Sequence, residues 1–278
     1  MSKTISFHTS EGNDLKMTLY GEDLPQDAPC VIYVHGFKGF KDWGFIPPTG
    51  EMFASNGFRF LAMNFSHNGI GDDPLNFTEL DKFRDNTFSL ERSEGIQVIE
   101  AYQRGELFGD TTGAKTGLLG HSRGGWGAAL IGHHCSGLSG VCLWAPVSDQ
   151  RRYGQKTVDF WKEQGYLEIP NSRTGQVMQI GYQLHEDLMA YSDTTLNIEA
   201  AASNMGKPLC IVHGADDLVV AVSDGKELAA LAGDNCELHI VEGGDHVFGA
   251  RHSWQGSTPQ LEEAWHHTLS FFRKHLTH

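Results

Sequence analysis

The most informative stretch of this chain is residues 120–125, which read Gly-His-Ser-Arg-Gly-Gly. It follows a run at 115–119 with the character of a buried strand and precedes a small, apolar helical stretch at 124–134. A G-x-S-x-G pattern between a strand and a helix indicates a tight turn that holds a serine hydroxyl above a sheet. Glycines at 120 and 124 avoid the collision that side chains would make across such a turn. We therefore predict that Ser122 is a nucleophile.

Further strands and helices are predicted on both sides of this turn. Residues 1–22 alternate apolar and polar around a turn at 11–14, which is typical of a half-buried hairpin. Continuous apolar runs, typical of strands buried on both faces, lie at 30–34, 58–63, 141–144 and 209–212, with a weaker, more alternating run at 237–241. Helical patterns lie at 89–103 and 223–231, and a last helix starts at Thr258-Pro259. This alternation predicts an α/β fold with a mainly parallel, twisted central sheet and helices on both faces.

One long stretch interrupts the alternation. About sixty residues separate Val147 from Pro208, too many for a loop without structure of its own. Two short strands are predicted within it, at 166–169 and 177–180. We predict that 149–205 forms a cap inserted after the sixth strand, and that 1–148 and 206–278 form the core.

The composition narrows the classes of partner. The 278 residues are 40% hydrophobic, which suits a globular core, and carry a formal net charge of −14. An acidic surface repels phosphate backbones and anionic lipid headgroups, so we expect neither a nucleic-acid nor a membrane partner. A monomer and a homodimer both remain open.

The cysteines and the first residues bear on the cellular compartment. The five cysteines are odd in number and show no CxxC spacing, so neither a disulfide framework nor a zinc site is indicated. Residues 1–17 lack the continuous apolar stretch of a signal peptide, and no run of about eighteen apolar residues occurs. We therefore expect a cytoplasmic protein.

The motif at 120–125, with His35-Gly36-Phe37 earlier in the chain, resembles the α/β-hydrolase superfamily of serine hydrolases. Within it, the chain is similar to bacterial cinnamoyl and feruloyl esterases, and to dienelactone-hydrolase-like and acyl-peptidase-like members. The resemblance extends over nearly the whole chain from Pro29. It implies the order nucleophile, acid, histidine along the chain, with no cofactor or metal.

The resemblance also indicates the acid and the histidine. The pattern H-G-x-x-D-x-x-V after the run at 209–212 implies Asp217 as the acid, while the neighbouring Asp216 remains a weaker alternative. The loop after 237–241 resembles G-x-x-H-x-F and implies His246 as the general base. A histidine in this role accepts the serine proton at Nε2 and donates Nδ1–H to the acid. Among fifteen histidines, His239 falls inside a strand and His252 lies beyond the loop, so both are poor rivals.

The remaining site residues are predicted around this triad. The backbone N–H of Arg123, after the serine, should point at a developing oxyanion, and the resemblance assigns the second donor to the backbone N–H of Phe37. His35 is expected to be a loop-packing residue. Trp43, Phe45 and residues 64–71 either line the pocket mouth or form packed loops. Candidate substrate contacts, or alternatively the core of the cap itself, are its aromatic residues Tyr153, Phe160, Trp161, Tyr166 and Tyr182.

These residues predict the hydrolysis of a small carboxylic ester, with a short-chain or aromatic acyl group, through an acyl-enzyme. The same residues fit a small acyl- or aminopeptidase, a thioesterase or a carbon–carbon bond hydrolase. A protein that keeps the fold as a non-catalytic ligand pocket is a further alternative, because this fold hosts many functions.

Overall fold

A sheet of eight strands forms the centre of the computed structural model, which describes residues 1–73 and 76–277. The sheet order is β1-β2-β4-β3-β5-β6-β9-β10, and β7 and β8 form a separate two-stranded sheet. The strands are β1 (Ser2–His8), β2 (Asp14–Tyr20), β3 (Cys30–Val34), β4 (Arg59–Met63), β5 (Thr116–His121), β6 (Leu138–Trp144), β7 (Tyr166–Pro170), β8 (Val177–Gly181), β9 (Leu209–Gly214) and β10 (Cys236–Val241).

Helices connect these strands. Residues 233–235 add one 3₁₀ turn before β10. The α-helices are α1 (Ile46–Ser55), α2 (Leu80–Asp85), α3 (Phe88–Gln103), α4 (Arg123–His134), α5 (Gln155–Gln164), α6 (Gln183–Tyr191), α7 (Ile198–Ser203), α8 (Val222–Ala232) and α9 (Pro259–Leu276).

The strand directions confirm the predicted fold class. β1 pairs antiparallel with β2, and β2 pairs antiparallel with β4. From β4 to β10 every neighbouring pair is parallel. Because the carboxyl ends of parallel strands share one edge of a sheet, the loops after β3, β5, β9 and β10 all lie at the edge where such folds hold their sites.

Both faces of the sheet are covered by helices. In β3, Cys30 and Ile32 pack into one apolar cluster with residues of α3 and α4, such as Ile99 and Leu130. Val31 and Tyr33 point to the other face and pack with residues of α1 and α9. All five residues of β3 are buried, which explains why its sequence is continuously apolar rather than alternating.

Local capping fixes several helix starts. The Thr258 side chain accepts a hydrogen bond from the backbone N–H of Leu261 at 3.1 Å, and Pro259 occupies the first turn of α9, as predicted. Helix α1 was not predicted, since Pro47-Pro48 reads as a loop signal. In the structure these prolines lie in the first turn of α1, where their missing N–H groups cost nothing.

The segment between β6 and β9 contains α5, the β7–β8 hairpin, α6 and α7. The two predicted short strands are confirmed as β7 and β8, which pair antiparallel. The Gln176 side chain ties this hairpin to the loop before α2, because its Nε2 donates to the carbonyl of Phe77 at 2.8 Å. The division of the chain into a core and a cap at 149–205 stays a prediction.

All five cysteines are free thiols. Within residues 1–73 and 76–277, no helix combines the length and the apolar character needed to cross a membrane.

Candidate active site

The turn that carries Ser122 is strained. Ser122 has φ 59° and ψ −124°, a conformation that residues other than glycine rarely adopt. It is held at the end of β5 by its backbone N–H, which donates to the carbonyl of Trp144 at 2.8 Å. A Cβ on Gly120 would lie 2.2 Å from the carbonyl oxygen of Gly124, and one on Gly124 would lie 2.4 Å from that of His35. Glycine is therefore required at both positions.

Three loops bring the predicted triad residues together. The Oγ of Ser122 lies 2.9 Å from Nε2 of His246, in the loop after β10. The Nδ1 of His246 lies 2.7 Å from Oδ2 of Asp217, in the loop after β9. With Nδ1–H donating to the carboxylate, Nε2 is free to accept the serine proton, which is the tautomer a general base requires.

Asp217 is anchored as an anion. Its side chain is fully buried, and its Oδ1 accepts the backbone N–H groups of Val219 and Val220 at 2.8 and 2.9 Å. Burial alone would raise the pKa of Asp217, but hydrogen bonds from His213, His246 and Val220 hold that pKa well below its usual range. The Asp217 carboxylate is therefore ionised at neutral pH and can accept the hydrogen bond that orients His246.

The alternative acid, Asp216, is placed differently. Its side chain is exposed, and its backbone N–H donates to the carbonyl of Gly244 at 2.9 Å. This bond ties the loop after β9 to the loop that carries His246, but the carboxylate that reaches His246 is that of Asp217.

Two further histidines surround the triad, and the sequence reasoning assigned neither a role. His121 lies between Gly120 and Ser122, and its Nε2 donates to the backbone carbonyl of His246 at 2.8 Å. Its ring centroid is 4.8 Å from that of His246. Burial, and then the nearby His246, lower the pKa of His121 to about 3, so this ring is neutral. The second is His213 of β9, whose Nε2 lies 3.3 Å from Oδ2 of Asp217. His121 is next to Gly120 of the G-x-S-x-G motif, and His213 is next to Gly214 of the H-G-x-x-D motif. This position beside a motif glycine is the sequence signal that could have identified both histidines.

The two predicted oxyanion donors flank Ser122. Arg123 is the first residue of α4, so its N–H has no acceptor within the helix. Phe37 lies in the loop after β3, where Gly36 permits a close approach: a Cβ there would lie 3.0 Å from Cβ of Ser122. The guanidinium of Arg123 lies 5.3 Å from the Phe37 ring centroid and forms an ion pair with Glu91 at 2.5 Å.

The other histidines of the sequence analysis take no part in the hydrogen bonds that join Ser122, His246 and Asp217, although His35 and His252 line a cavity beside Ser122. His35 is buried, its Nδ1 donates to the carbonyl of Gly36 at 2.9 Å, and its Nε2 accepts the N–H of Phe65 at 3.3 Å. Burial lowers the pKa of His35, which keeps the ring neutral. His239 lies in β10 and stacks on His267, and His252 accepts the N–H of Gly44.

Two cavities meet at Ser122 and His246. Cavity A, of about 360 Å³, is bordered by α5, the β7–β8 hairpin and α6, and its lining includes Val147, Trp161, Ile180, Leu184 and Leu188. Cavity B, of about 540 Å³, lies on the other side of the Phe37 loop, and its lining includes Tyr33, Trp43, Phe45 and Arg173. Trp43 and Phe45 thus reach the site, whereas Phe65 and Ile70 are buried in the core.

The aromatic residues of the inserted segment divide into two groups. Trp161 and Tyr153 line cavity A, with ring centroids 5.2 Å apart. Tyr182 and Tyr166 line neither cavity: Tyr182 packs edge-on against Trp161, and Tyr166 lies under the guanidinium of Arg84. The expectation for Phe160 needs correction: it is 54% exposed and outside both cavities, because it precedes Trp161 on α5 and helical neighbours face different directions.

Side chains that bind metals do not gather at this site within the described part of the chain. Among the residues that the structure describes, no three or more His, Cys, Asp or Glu side chains converge as a metal ion would require. The arrangement of Ser122, His246 and Asp217 fits proton transfer and nucleophilic attack.

Solved structures of several hydrolases share this fold. Est1E from Butyrivibrio proteoclasticus, with ferulic acid bound, has a TM-score of 0.72 and 17% identity over 99% of this chain and 100% of its own. The α/β hydrolase GrgF from Penicillium sp. sh18 has a TM-score of 0.72 and 15% identity over 100% of both chains. A dienelactone hydrolase from Anabaena variabilis has a TM-score of 0.66 and 14% identity over 99% of this chain and 98% of its own.

Comparison with curated protein sequences finds no match. The model of the prolyl oligopeptidase family matches residues 92–278, which is more than half of the chain and includes Ser122, Asp217 and His246. The predicted resemblance to α/β-hydrolase serine hydrolases is confirmed. This chain therefore belongs to the prolyl oligopeptidase family and has the α/β-hydrolase fold.

Proposed function

We propose that this protein is a serine hydrolase that cleaves carboxylic esters with short or aromatic acyl groups. The observation that carries the proposal is the continuous relay from Ser122 Oγ to His246 Nε2 at 2.9 Å and from His246 Nδ1 to Asp217 Oδ2 at 2.7 Å. These distances are those that a nucleophile, its general base and an orienting acid require.

The reaction follows from this geometry. Ser122 attacks the ester carbonyl while His246 removes its proton at Nε2. The backbone N–H groups of Phe37 and Arg123 hold the negative oxygen of the tetrahedral intermediate. His246 then gives its proton to the leaving alcohol, which departs and leaves an acyl group on Ser122. A water molecule, activated by His246, attacks the acyl-enzyme and releases the acid.

The size and lining of cavity A support the acyl-group preference. Its volume of about 360 Å³ is at the small end of ligand pockets, and its wall of aliphatic and aromatic side chains favours an apolar acyl group. The aromatic pair Tyr153 and Trp161 would suit a cinnamoyl-type ring. Ferulic acid, which is bound to Est1E in the similar structure, is therefore a reasonable member of a test panel.

A second candidate function is peptide-bond cleavage, which the family match specifically favours. The same triad would attack an amide, and the oxyanion donors would act alike. The two functions differ in the substrate that the cavities accept, not in the residues that act on it.

The experiment that separates them is a substrate panel run with purified wild type and Ser122→Ala. The panel contains nitrophenyl esters from acetyl to long chain, feruloyl esters and aminoacyl anilides. We expect Ser122-dependent turnover of short or aromatic esters. Cleavage of anilides alone would replace the esterase proposal with the peptidase one. Ligand binding without turnover would favour the non-catalytic alternative, and hydrolysis that persists in Ser122→Ala would contradict the proposed nucleophile.

A further inference from the structure

The charged side chains that line the two cavities at Ser122 are basic, although the chain as a whole is acidic. The chain has 35 acidic and 21 basic residues, excluding histidine. Two cavities away from Ser122 include acidic side chains in their walls. Among the described residues that line cavities A and B there is no aspartate or glutamate. Their basic lining consists of Lys38, Arg123, Arg152, Arg173 and Arg251.

Not all of these cations are available to a ligand. Arg123 is committed to Glu91, with N–O distances of 2.5 and 3.2 Å. Arg152 lies 3.5 Å from a carboxylate oxygen of Asp224. Lys38 differs from both, because it lines both cavities and its Nζ donates to the backbone carbonyl of Pro170 at 3.3 Å, a neutral acceptor.

Lys38 is also held in an environment that disfavours its own charge. It is partly buried, and it follows Phe37, whose N–H is assigned to the oxyanion. Burial, and then the positive charge of Arg173, lower the pKa of the Lys38 ammonium. An anion bound beside Lys38 would favour the charged form of this partly buried ammonium and add a charge-assisted hydrogen bond.

We propose that the substrate attacked by Ser122 carries a carboxylate, which binds beside Lys38 where cavities A and B meet. The inference rests on the proposed hydrolase function and narrows it to anionic esters. The carboxylate belongs either to the acyl group or to the alcohol. In both cases a carboxylate binds at Lys38. The local positive charge also attracts an anionic substrate to a protein that is otherwise acidic.

Two pairs of esters distinguish these sources. For the acyl side, 4-nitrophenyl hemiglutarate is compared with its neutral methyl ester. For the alcohol side, 4-butyryloxybenzoate is compared with its methyl ester. We expect kcat/KM to favour the anionic member of one pair by about tenfold or more at low salt, and this preference to shrink as the ionic strength rises.

Lys38→Met is the variant that tests the lysine, and Lys226→Met is its control, because it makes the same charge change at an exposed residue of α8 outside both cavities. Lys38→Met should lower the anionic-to-neutral ratio about tenfold, and Lys226→Met should leave the ratio as in wild type. A wild-type ratio near one in both pairs, with Ser122-dependent turnover intact, would overturn this inference and leave the proposed function standing. If Lys38→Met lowered kcat/KM equally for the anionic and the neutral ester of a pair, this result would also overturn the inference.

A binding measurement tests the inference without turnover. The Ser122→Ala protein is titrated by calorimetry with the anilide of glutaric acid, which has one free carboxylate, and with the corresponding neutral amide. We expect the carboxylate to bind about tenfold more tightly, and the addition of Lys38→Met to abolish the difference. Equal affinities would overturn the inference whether or not any ester of the panel is hydrolysed. A failure to hydrolyse any ester would count separately, against the proposed function.

Discussion

Nε2 of His213 lies 3.3 Å from Oδ2 of Asp217, the same oxygen that accepts Nδ1–H of His246 at 2.7 Å. The His213 side chain is fully buried, and its Nε2 also donates to the carbonyl of Val220 at 3.0 Å. A Cβ on Gly225 would lie 2.6 Å from Nδ1, so the ring fits tightly. His213 therefore fixes both the carboxylate and the loop that carries it.

We expect loss of this hydrogen-bond donor to impair orientation of His246. His213→Leu removes the donor and should lower kcat on the best ester about tenfold with little change in KM, since losing a partner of a buried polar group costs roughly 1–3 kcal/mol. His213→Gln can still donate from Nε2 and should recover part of the loss. Steady-state kinetics of the two variants check this, and a glutamine variant no better than the leucine variant would refute the role.

The glycines of the Ser122 turn should differ sharply from a neighbouring glycine. Gly120→Ala forces a Cβ against the backbone of Gly124 and should destabilise the fold by about 3 kcal/mol or more. Gly127 lies on α4, and a Cβ added there would meet no atom within 4 Å, so Gly127→Ala should stabilise the fold by roughly 0.5–1 kcal/mol. Urea unfolding measures both changes, and similar values for the two variants would be inconsistent with this geometry.

A buried glutamate should make stability depend on pH. Glu94 of α3 is fully buried, and burial raises its pKa from 4.5 to about 7 against hydrogen bonds from Ser66. Between these two pKa values the folded chain keeps the Glu94 proton that the unfolded chain releases. The contribution of protonated Glu94 to the free energy of unfolding is therefore fully present below about pH 4.5 and is lost as the pH rises through about 7.

Glu94→Gln mimics the protonated acid and should be more stable than wild type at pH 8, by up to about 3 kcal/mol, with little difference at pH 4.5. Chemical unfolding across this pH range tests the prediction. Glu227→Gln, at an exposed position of α8, is the control and should show no such trend. A constant difference between wild type and Glu94→Gln over the whole range would disprove it.

Cavity A should set the length of the acyl group. Leu184→Ala removes a wall of this cavity and should shift the preferred nitrophenyl ester toward longer chains. Leu196→Ala is the matched control, because Leu196 is also buried in the inserted segment but does not line the cavity. Both variants should lose roughly 2–5 kcal/mol of stability. If Leu184→Ala kept the chain-length preference of wild type, cavity A would not be the site that binds the acyl group.

Much of the fold could be predicted because its strands are buried on both faces. The continuous apolar runs at β3, β4 and β9 and the turn at 120–125 carry strong local signals, and their order along the chain gives the parallel sheet. Helix α1 was missed because Pro47-Pro48 reads as a loop unless the preceding turn is known. The positions of Ser122, Asp217 and His246 followed from motifs, but their distances depend on three loops far apart in sequence.

The surroundings of the site could not be predicted. Trp161 lines cavity A and the adjacent Phe160 does not. The rotation of α5 that decides this is accompanied by a contact distant in sequence, the hydrogen bond from Trp161 Nε1 to the carbonyl of Ile180. Likewise, Lys38 gains its setting from the β7–β8 hairpin, 132 residues away along the chain at Pro170. Contacts of this kind have no local signature in the sequence.

The most direct test of the account is to map the adduct of a fluorophosphonate probe by mass spectrometry. Such probes phosphonylate a serine whose hydroxyl is activated by a nearby base. We expect wild type to carry one adduct, on the peptide that contains Ser122, and His246→Ala to label at least about a hundredfold more slowly. No adduct in wild type, or an adduct that forms equally fast in Ser122→Ala, would contradict the claim that Ser122, His246 and Asp217 form a working nucleophilic site.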